Sequence, residues 1–247
     1  MPESILSGIS LPFQEAITFF RQKNRVPTAH WTDVWQTAHD HGFMVAGAAI
    51  DDLLKDFQEE IASALENGTT LAVFRKSFDE IVAKHGWEYN GGRDWRSQII
   101  YETNLSTAAS AGRYAQLTEP DTLAAFPYWT YIHGACAHPR PQHLAWAGTT
   151  LRADDAWWGT HYPPNGWRCH CYVRPTSEAA LGRMGKDGPD KAPPIVMRDW
   201  RNPHTGAIHQ VPEGIDPGFA YNPGKAWIQG ARALPVKSPN WRPAGGE

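Results

Sequence analysis

The chain has 247 residues and a formal net charge of -3, so it carries no global basic field of the kind that drives non-specific nucleic-acid binding. Hydrophobic residues make up 41%, enough for one large domain or two small ones, and twelve tryptophans are unusually many. No apolar run reaches the ~18 residues that a membrane span needs; the first residues show no signal-peptide pattern, and three cysteines are too few for a disulfide framework, which fits a reducing compartment.

Ser10 and Pro12 mark the start of a first helix, with Phe13, Ile17 and Phe20 on one stripe to about Lys23. Val26-Pro27-Thr28 breaks it. A longer helical region is predicted from about Thr32 to Glu66, where Val34, Ala38, Val45, Ala49, Leu53, Phe57, Ile61 and Leu65 recur at near-helical spacing. Gly42 and Gly47 weaken its middle. Asn67-Gly68 supplies a C-cap, and Thr69 or Thr70 starts a helix that turns Phe74, Phe78, Ile81 and Val82 inward and closes at Gly86. Another helix spans about Arg93 to Leu117. Its small-residue stretch, Ser106 to Gly112, predicts close packing beneath the downstream region. Arg96 and Glu102 lie near this face; an ion pair or a helix-surface role is preferred to Glu102 as a general base.

After Glu119-Pro120-Asp121 the period changes from helical to alternating. Tyr128 to His133 reads as a strand, followed by a Gly134–Pro141 loop, a short helix at His143–Trp146 and a strand at Thr149–Leu151. Asp154 and Asp155 precede Trp157 and are predicted to cap a helical turn, since adjacent carboxylates on a turn rarely converge as a catalytic pair. Cys169–Arg174 reads as the closing strand. Beyond Thr176 the chain holds ten prolines and ten glycines. Val196–Trp200 and Ala207–Val211 are expected to pair as a hairpin, Phe219 and Tyr221 to anchor an extended arm on the core or on a neighbouring subunit, and the chain from about Val236 to be a loose terminus.

The stretch Trp129–Val173 concentrates the chemistry. It holds all three cysteines (Cys136, Cys169, Cys171) and five of the eleven histidines (His133, His138, His143, His161, His170). Thiolate with imidazole suits Zn²⁺ better than a hard cation. On an extended strand the sulfurs of Cys169 and Cys171 share one side while His170 points away, and Pro163-Pro164-Asn165-Gly166 forces the turn that presents them. A tetrahedral site of His143, His161, Cys169 and Cys171 is expected, with Cys136 or His138 able to replace one histidine. The spacing is C-x-C, not the C-x₂-C of common zinc modules, so two small buried hydrophobes on a core strand are the competing reading. No Glu lies within the stretch to serve as a base, which favours a closed structural site.

The runs R-P-Q-H-L-A-W-A-G and D-D-A-W-W-G-T-H-Y-P-P-N-G-W-R-C-H-C resemble the phage Mu F-like family of minor head, or head morphogenesis, proteins. The segments GFMVAGAAIDDLL, LENGTTLAVFRKSFDEIV and VPEGIDPGFAYNPG are similar to the same proteins. The chain departs from the family pattern at Cys136 and His138, which stand at positions usually acidic and basic, and at His170, which replaces the Arg between the cysteines. The resemblance also implies a structural role for the charged residues of the 93–117 helix.

The expected fold is α+β: a helical domain at 1–120, a small mixed subdomain stapled by zinc at 121–176, and an irregular hairpin with an extended arm at 177–247. The resemblance implies assembly of a tailed-phage or prophage head near the portal, with portal and other head proteins as partners, in the virion and in the host cytoplasm during assembly. A zinc-dependent hydrolase or nuclease using His133, His138 or His170 is the alternative. A nucleic-acid module is a third reading, supported by Arg140, Arg152, Arg168 and Arg174 and opposed by Asp154 and Asp155.

Overall fold

The computed structural model describes residues 13–229. Its first half is helical, and each helix there starts and stops for a readable reason. Helix α1 (Gln14–Arg21) buries Ala16, Ile17, Phe19 and Phe20. Helix α2 (Asp51–Asn67) has Asp51 and Asp52 in its first turn, where carboxylates favour the positive end of the helix dipole, and ends on Gly68 at φ 68°. Helix α3 (Leu71–His85) begins where the Thr70 side chain accepts from the Val73 N–H, and closes on Gly86 at φ 58°. Helix α4 (Arg93–Leu117) is tied to α3 by the Arg93–Asp79 ion pair. Phe19, Phe20, Phe57, Phe74 and Phe78 fill the core between these helices.

The predicted helical region at 32–66 is corrected by the structure: only its second half is α-helical. Residues 32–50 instead form an irregular crossing with one 3-10 turn at Gln36–Asp40. Within that region β2 (Gly42–Phe43) forms a two-residue parallel pair with β1 (Asn24–Arg25), which lies ahead of it. Gly47 at φ 82° and the bonds from Gly47 N–H to Thr28 and from Thr28 N–H to Ala48 hold this crossing without a helix. Of the predicted stripe in this segment Val34 and Val45 are buried while Ala49 is exposed, so a partly buried irregular segment, and not a helix, accounts for the apolar spacing. The predicted start at Ser10 and Pro12 and the predicted loose terminus from Val236 lie outside the described residues.

The second half is a mixed α+β unit. Short helix α5 (Pro120–Ala125) leads into β3 (Tyr128–Ile132), the centre of an antiparallel sheet of order β4-β3-β5, with β4 at Thr150–Arg152 and β5 at Tyr172–Thr176. Register runs Trp129 opposite Leu151 on one side and Ile132 opposite Tyr172 on the other. Helices α6 (Pro141–Trp146) and α7 (Trp158–His161) cover the sheet with Trp146, Trp157 and Trp158, which join Trp129, Tyr131 and Tyr162 in a second, aromatic core. The closing strand starts three residues later than predicted, because β3 ends at Ile132 and leaves Cys169–Cys171 without ladder partners. The small residues of α4 pack mainly on α1, not beneath this unit: a Cβ on Gly112 would stand 2.7 Å from the Ala16 nitrogen. Ser110 also reaches across, donating to the Pro163 carbonyl.

Helix α8 (Glu178–Arg183) is followed by the predicted hairpin, β6 (Met197–Arg201) with β7 (Ile208–Pro212), and then by helix α9 (Lys225–Ile228). Over 213–229 the segment is anchored on the core, one of the two expected places: Ile215, Phe219 and Ala220 belong to the aromatic core and Tyr221 is buried. Asp40 anchors the same segment by accepting from the N–H groups of Gly224 and Ala226, at 3.0 and 3.1 Å.

Candidate metal centre

Three of the four predicted ligands converge. The donor atoms of His143, Cys169 and Cys171 all lie within 4.8 Å of one another. His143 Nδ1 stands 3.7 Å from Cys169 Sγ and 3.6 Å from Cys171 Sγ. A tetrahedral Zn²⁺ with bonds of about 2.0 Å to nitrogen and 2.3 Å to sulfur would set an N···S edge of roughly 3.5 Å, so the donor spacing fits that ion.

The tautomer also fits. His143 Nε2 is 2.8 Å from the Gly214 carbonyl, which can only accept, so Nε2 carries the proton and Nδ1 presents its lone pair to the sulfurs. His143 is placed there by α6, whose first helical residue is Pro141. The two cysteines follow a turn in which Cys169 N–H bonds the Gly166 carbonyl and Arg168 adopts φ 56°. The backbones of Gly134 and His170 meet so closely that a Cβ on Gly134 would lie 1.9 Å from the His170 oxygen.

The electrostatics favour a thiolate. A hydrogen bond from the Cys169 thiol, with another from the Gly134 N–H, holds the Cys171 thiol well below its ordinary range. The bond to Cys171, together with burial, pushes Cys169 up. Tyr131 is fixed in turn by its hydroxyl bond to Asn165 Oδ1 at 3.0 Å.

His161, the predicted fourth ligand, lies outside this group. Its ring stacks on Trp157 at 4.3 Å and meets the edge of Trp146 at 4.9 Å, and Thr160 Oγ1 is 2.8 Å from its Nδ1. Burial holds it neutral, pulling its pKa down to about 4. Cys136, His138, His133 and His170 instead line a cavity of about 310 Å³ that His143, Cys169 and Cys171 also line. Cys136 is exposed on the loop above it. Among the described residues no carboxylate lines this cavity.

The other charged candidates have structural partners. Glu102 pairs with Arg168 at 3.4 Å and accepts from Gln98, whereas Arg96 donates to the Ala46 carbonyl and does not meet Glu102. Asp155 accepts from the Trp157 N–H at the start of α7, as predicted, while Asp154 pairs with Arg152.

Two supporting residues escaped the sequence reading. Gly214 orients His143, and Asp216 Oδ2 accepts from Trp167 N–H at 2.9 Å and from Arg140 at 2.7 Å, clamping the turn that carries the cysteines. Their one signal was that both lie in the VPEGIDPGFAYNPG segment.

Residues 55–174 match the family described as Phage Mu protein F like protein. The chain is 32% identical over 254 aligned positions, 91% of its length, to a protein of Escherichia phage Mu named as capsid assembly protein F; the match spans 57% of that protein. It is 34% identical over 168 positions, 64% of its length, to the Mu-like prophage FluMu F protein of Haemophilus influenzae, spanning 40% of it. The chain thus covers about half the length of these curated relatives. No solved structure matches it. The family match holds the C-x-C turn, and with the two relatives it shows that the chain belongs to the phage Mu F-like family.

Proposed function

We propose that this chain is a head-morphogenesis component of a tailed phage or prophage, acting by association with portal and other head proteins rather than by catalysis. In this reading it resides in the virion and, during assembly, in the host cytoplasm. The observation that carries it is the match over 91% of the chain to a relative named for capsid assembly. Among the described residues no helix is long and apolar enough to cross a membrane.

Within that role the His143–Cys169–Cys171 centre holds a structural zinc, and the fourth ligand comes from the Cys136–His138 loop. Two features support this. The loop lines the cavity on the open side of the three donors, and His161 faces a tryptophan box instead. A zinc would cross-link β3, α6 and the C-x-C turn, supplying stability that a small loop-rich unit lacks. The hydrolase alternative draws on His133, His138 and His170 at the same cavity, but among the described residues no carboxylate lines it to act as the base.

Metal analysis of purified protein should give about one zinc per chain, and capture on immobilised chain should retain head proteins from an assembling lysate. Cys169→Ala should abolish the metal and lower the melting temperature. Protein without stoichiometric metal, whose Cys169→Ala variant melts like wild type, would refute the zinc. Metal-dependent turnover lost in a folded His133→Ala or His138→Ala variant would favour the hydrolase.

A further inference from the structure

A second cavity, of about 460 Å³, lies between the first half of α4, the 42–46 segment and the 217–221 segment. Its walls are largely apolar and aromatic, with Trp31, Trp167 and Phe219 facing Ile99 and Ile100. Among the described residues three cations line it, Lys23, Arg96 and Arg168, and no carboxylate does. Arg168 is paired with Glu102 at 3.4 Å, and Lys23 feels Asp40 without forming an ion pair among the described residues.

Arg96 is different. It is 9% exposed, donates to the Ala46 carbonyl and lies 5.3 Å over the Trp87 ring, yet its Nε has no hydrogen-bond partner among the described residues. Thr103, on the same cavity wall, has an unpartnered buried hydroxyl. A desolvated guanidinium with an unused donor and no counter-ion is costly, and a carboxylate entering the cavity would relieve that cost. The charge on the walls therefore selects an anion, and the walls themselves select an apolar body.

Tryptophan and arginine are the residue types that dominate protein–protein interfaces. Trp95 stands at the rim, 51% exposed, one residue from Arg96. The volume falls within the range of preformed ligand sites and accommodates a few side chains. We propose that this cavity receives an apolar peptide segment bearing one carboxylate, contributed by a neighbouring protein of the assembly. The source of the segment rests on the head-assembly reading above; its chemistry rests on the cavity alone.

The test uses the full chain and a dye-labelled synthetic peptide of leucine and phenylalanine around a single glutamate, followed by fluorescence polarisation. A second peptide carries glutamine in place of glutamate, and octanoate serves as a small-molecule probe. The glutamate peptide should bind about tenfold or more tightly than the glutamine peptide. Arg96→Met should erase that preference while leaving glutamine-peptide binding unchanged, and Arg96→Lys should restore part of it. Trp95→Ala, at an exposed position that spares the fold, should weaken both peptides. Equal binding of the two peptides, binding to neither, or a preference that survives Arg96→Met in folded protein would overturn the proposal. So would Arg96-dependent binding of octanoate with no peptide bound, which would make the cavity a small-molecule site. Peptide binding without capture of any head protein would sink the assembly reading alone and leave the cavity assignment standing.

Discussion

His143 turns Nδ1 toward two sulfurs because the Gly214 carbonyl occupies its other nitrogen, so the centre depends on a residue with no donor side chain. The same economy applies at Gly134, where only a hydrogen fits beside the His170 carbonyl. Gly134→Ala should therefore displace the loop and destabilise the fold by about 1–3 kcal/mol, the usual range for overpacking. Gly159→Ala is the control, since nothing lies within 4 Å of the added methyl. Denaturant titration of the two variants decides the matter: equal stabilities would mean that the Gly134 approach is relaxed in solution. Asp216 makes a second residue-scale prediction. Asp216→Ala removes an acceptor from the Trp167 N–H and from Arg140, and should cost roughly 2 kcal/mol. Its metal content should fall as well, because the turn it clamps carries Cys169; a variant with full metal and unchanged melting would show the clamp to be idle.

At the scale of elements, local chemistry was legible wherever an element is closed by its own residues. Gly68 and Gly86 sit in the left-handed conformation that a C-cap needs, Thr70 caps α3, and the alternating run at 128–132 is the central strand. The failures arise where a distant partner decides. Nothing within residues 32–50 reveals that Gly42 will pair with Asn24, and nothing near His143 reveals Gly214. His161 lies outside the His143–Cys169–Cys171 group for a related reason: residue type suggested a ligand, but its ring stacks on Trp157. Lys23, at the end of α1, gives a prediction of this scale. Burial lowers its amine to about 8, against about 10.4 for a free lysine. Between those values the unfolded chain binds more protons than the folded one, so this group makes stability rise with pH across the window. Lys23→Met should be more stable than wild type below pH 8, by at most about 3 kcal/mol, with the gap closing as pH approaches 10.4. Unfolding curves at pH 7, 9 and 10 test it, and a gap that stays constant would show that Lys23 is solvated.

For the whole molecule, the question is how much of the chain the metal centre needs. The C-x-C turn, the His143 helix and β3 come from within residues 128–176, yet three of their supports come from beyond the hairpin: the Gly214 carbonyl, the Asp216 carboxylate and the buried side chain of Phe219. Phe219 meets Trp167 edge-on at 4.9 Å, immediately before Arg168 and Cys169. The 213–229 segment is also held to the helical half, where Asp40 accepts from Gly224 and Ala226 and the Trp227 ring meets Phe19 at 5.4 Å. It therefore joins the two cores rather than trailing from them. A chain ending at Pro212 should lose both the bound metal and the cooperative unfolding transition of the aromatic core, because the buried area of Ile215, Phe219 and Tyr221 goes with it, at about 1.5–3 kcal/mol for each large side chain. A chain ending at Gln229 should keep both. Calorimetry and metal analysis of the pair provide the comparison. Were the Pro212 chain to melt and bind metal like the Gln229 chain, the segment would be a passenger on the body, and the turn holding Cys169 and Cys171 would have to be stable on the strength of residues 128–176 alone.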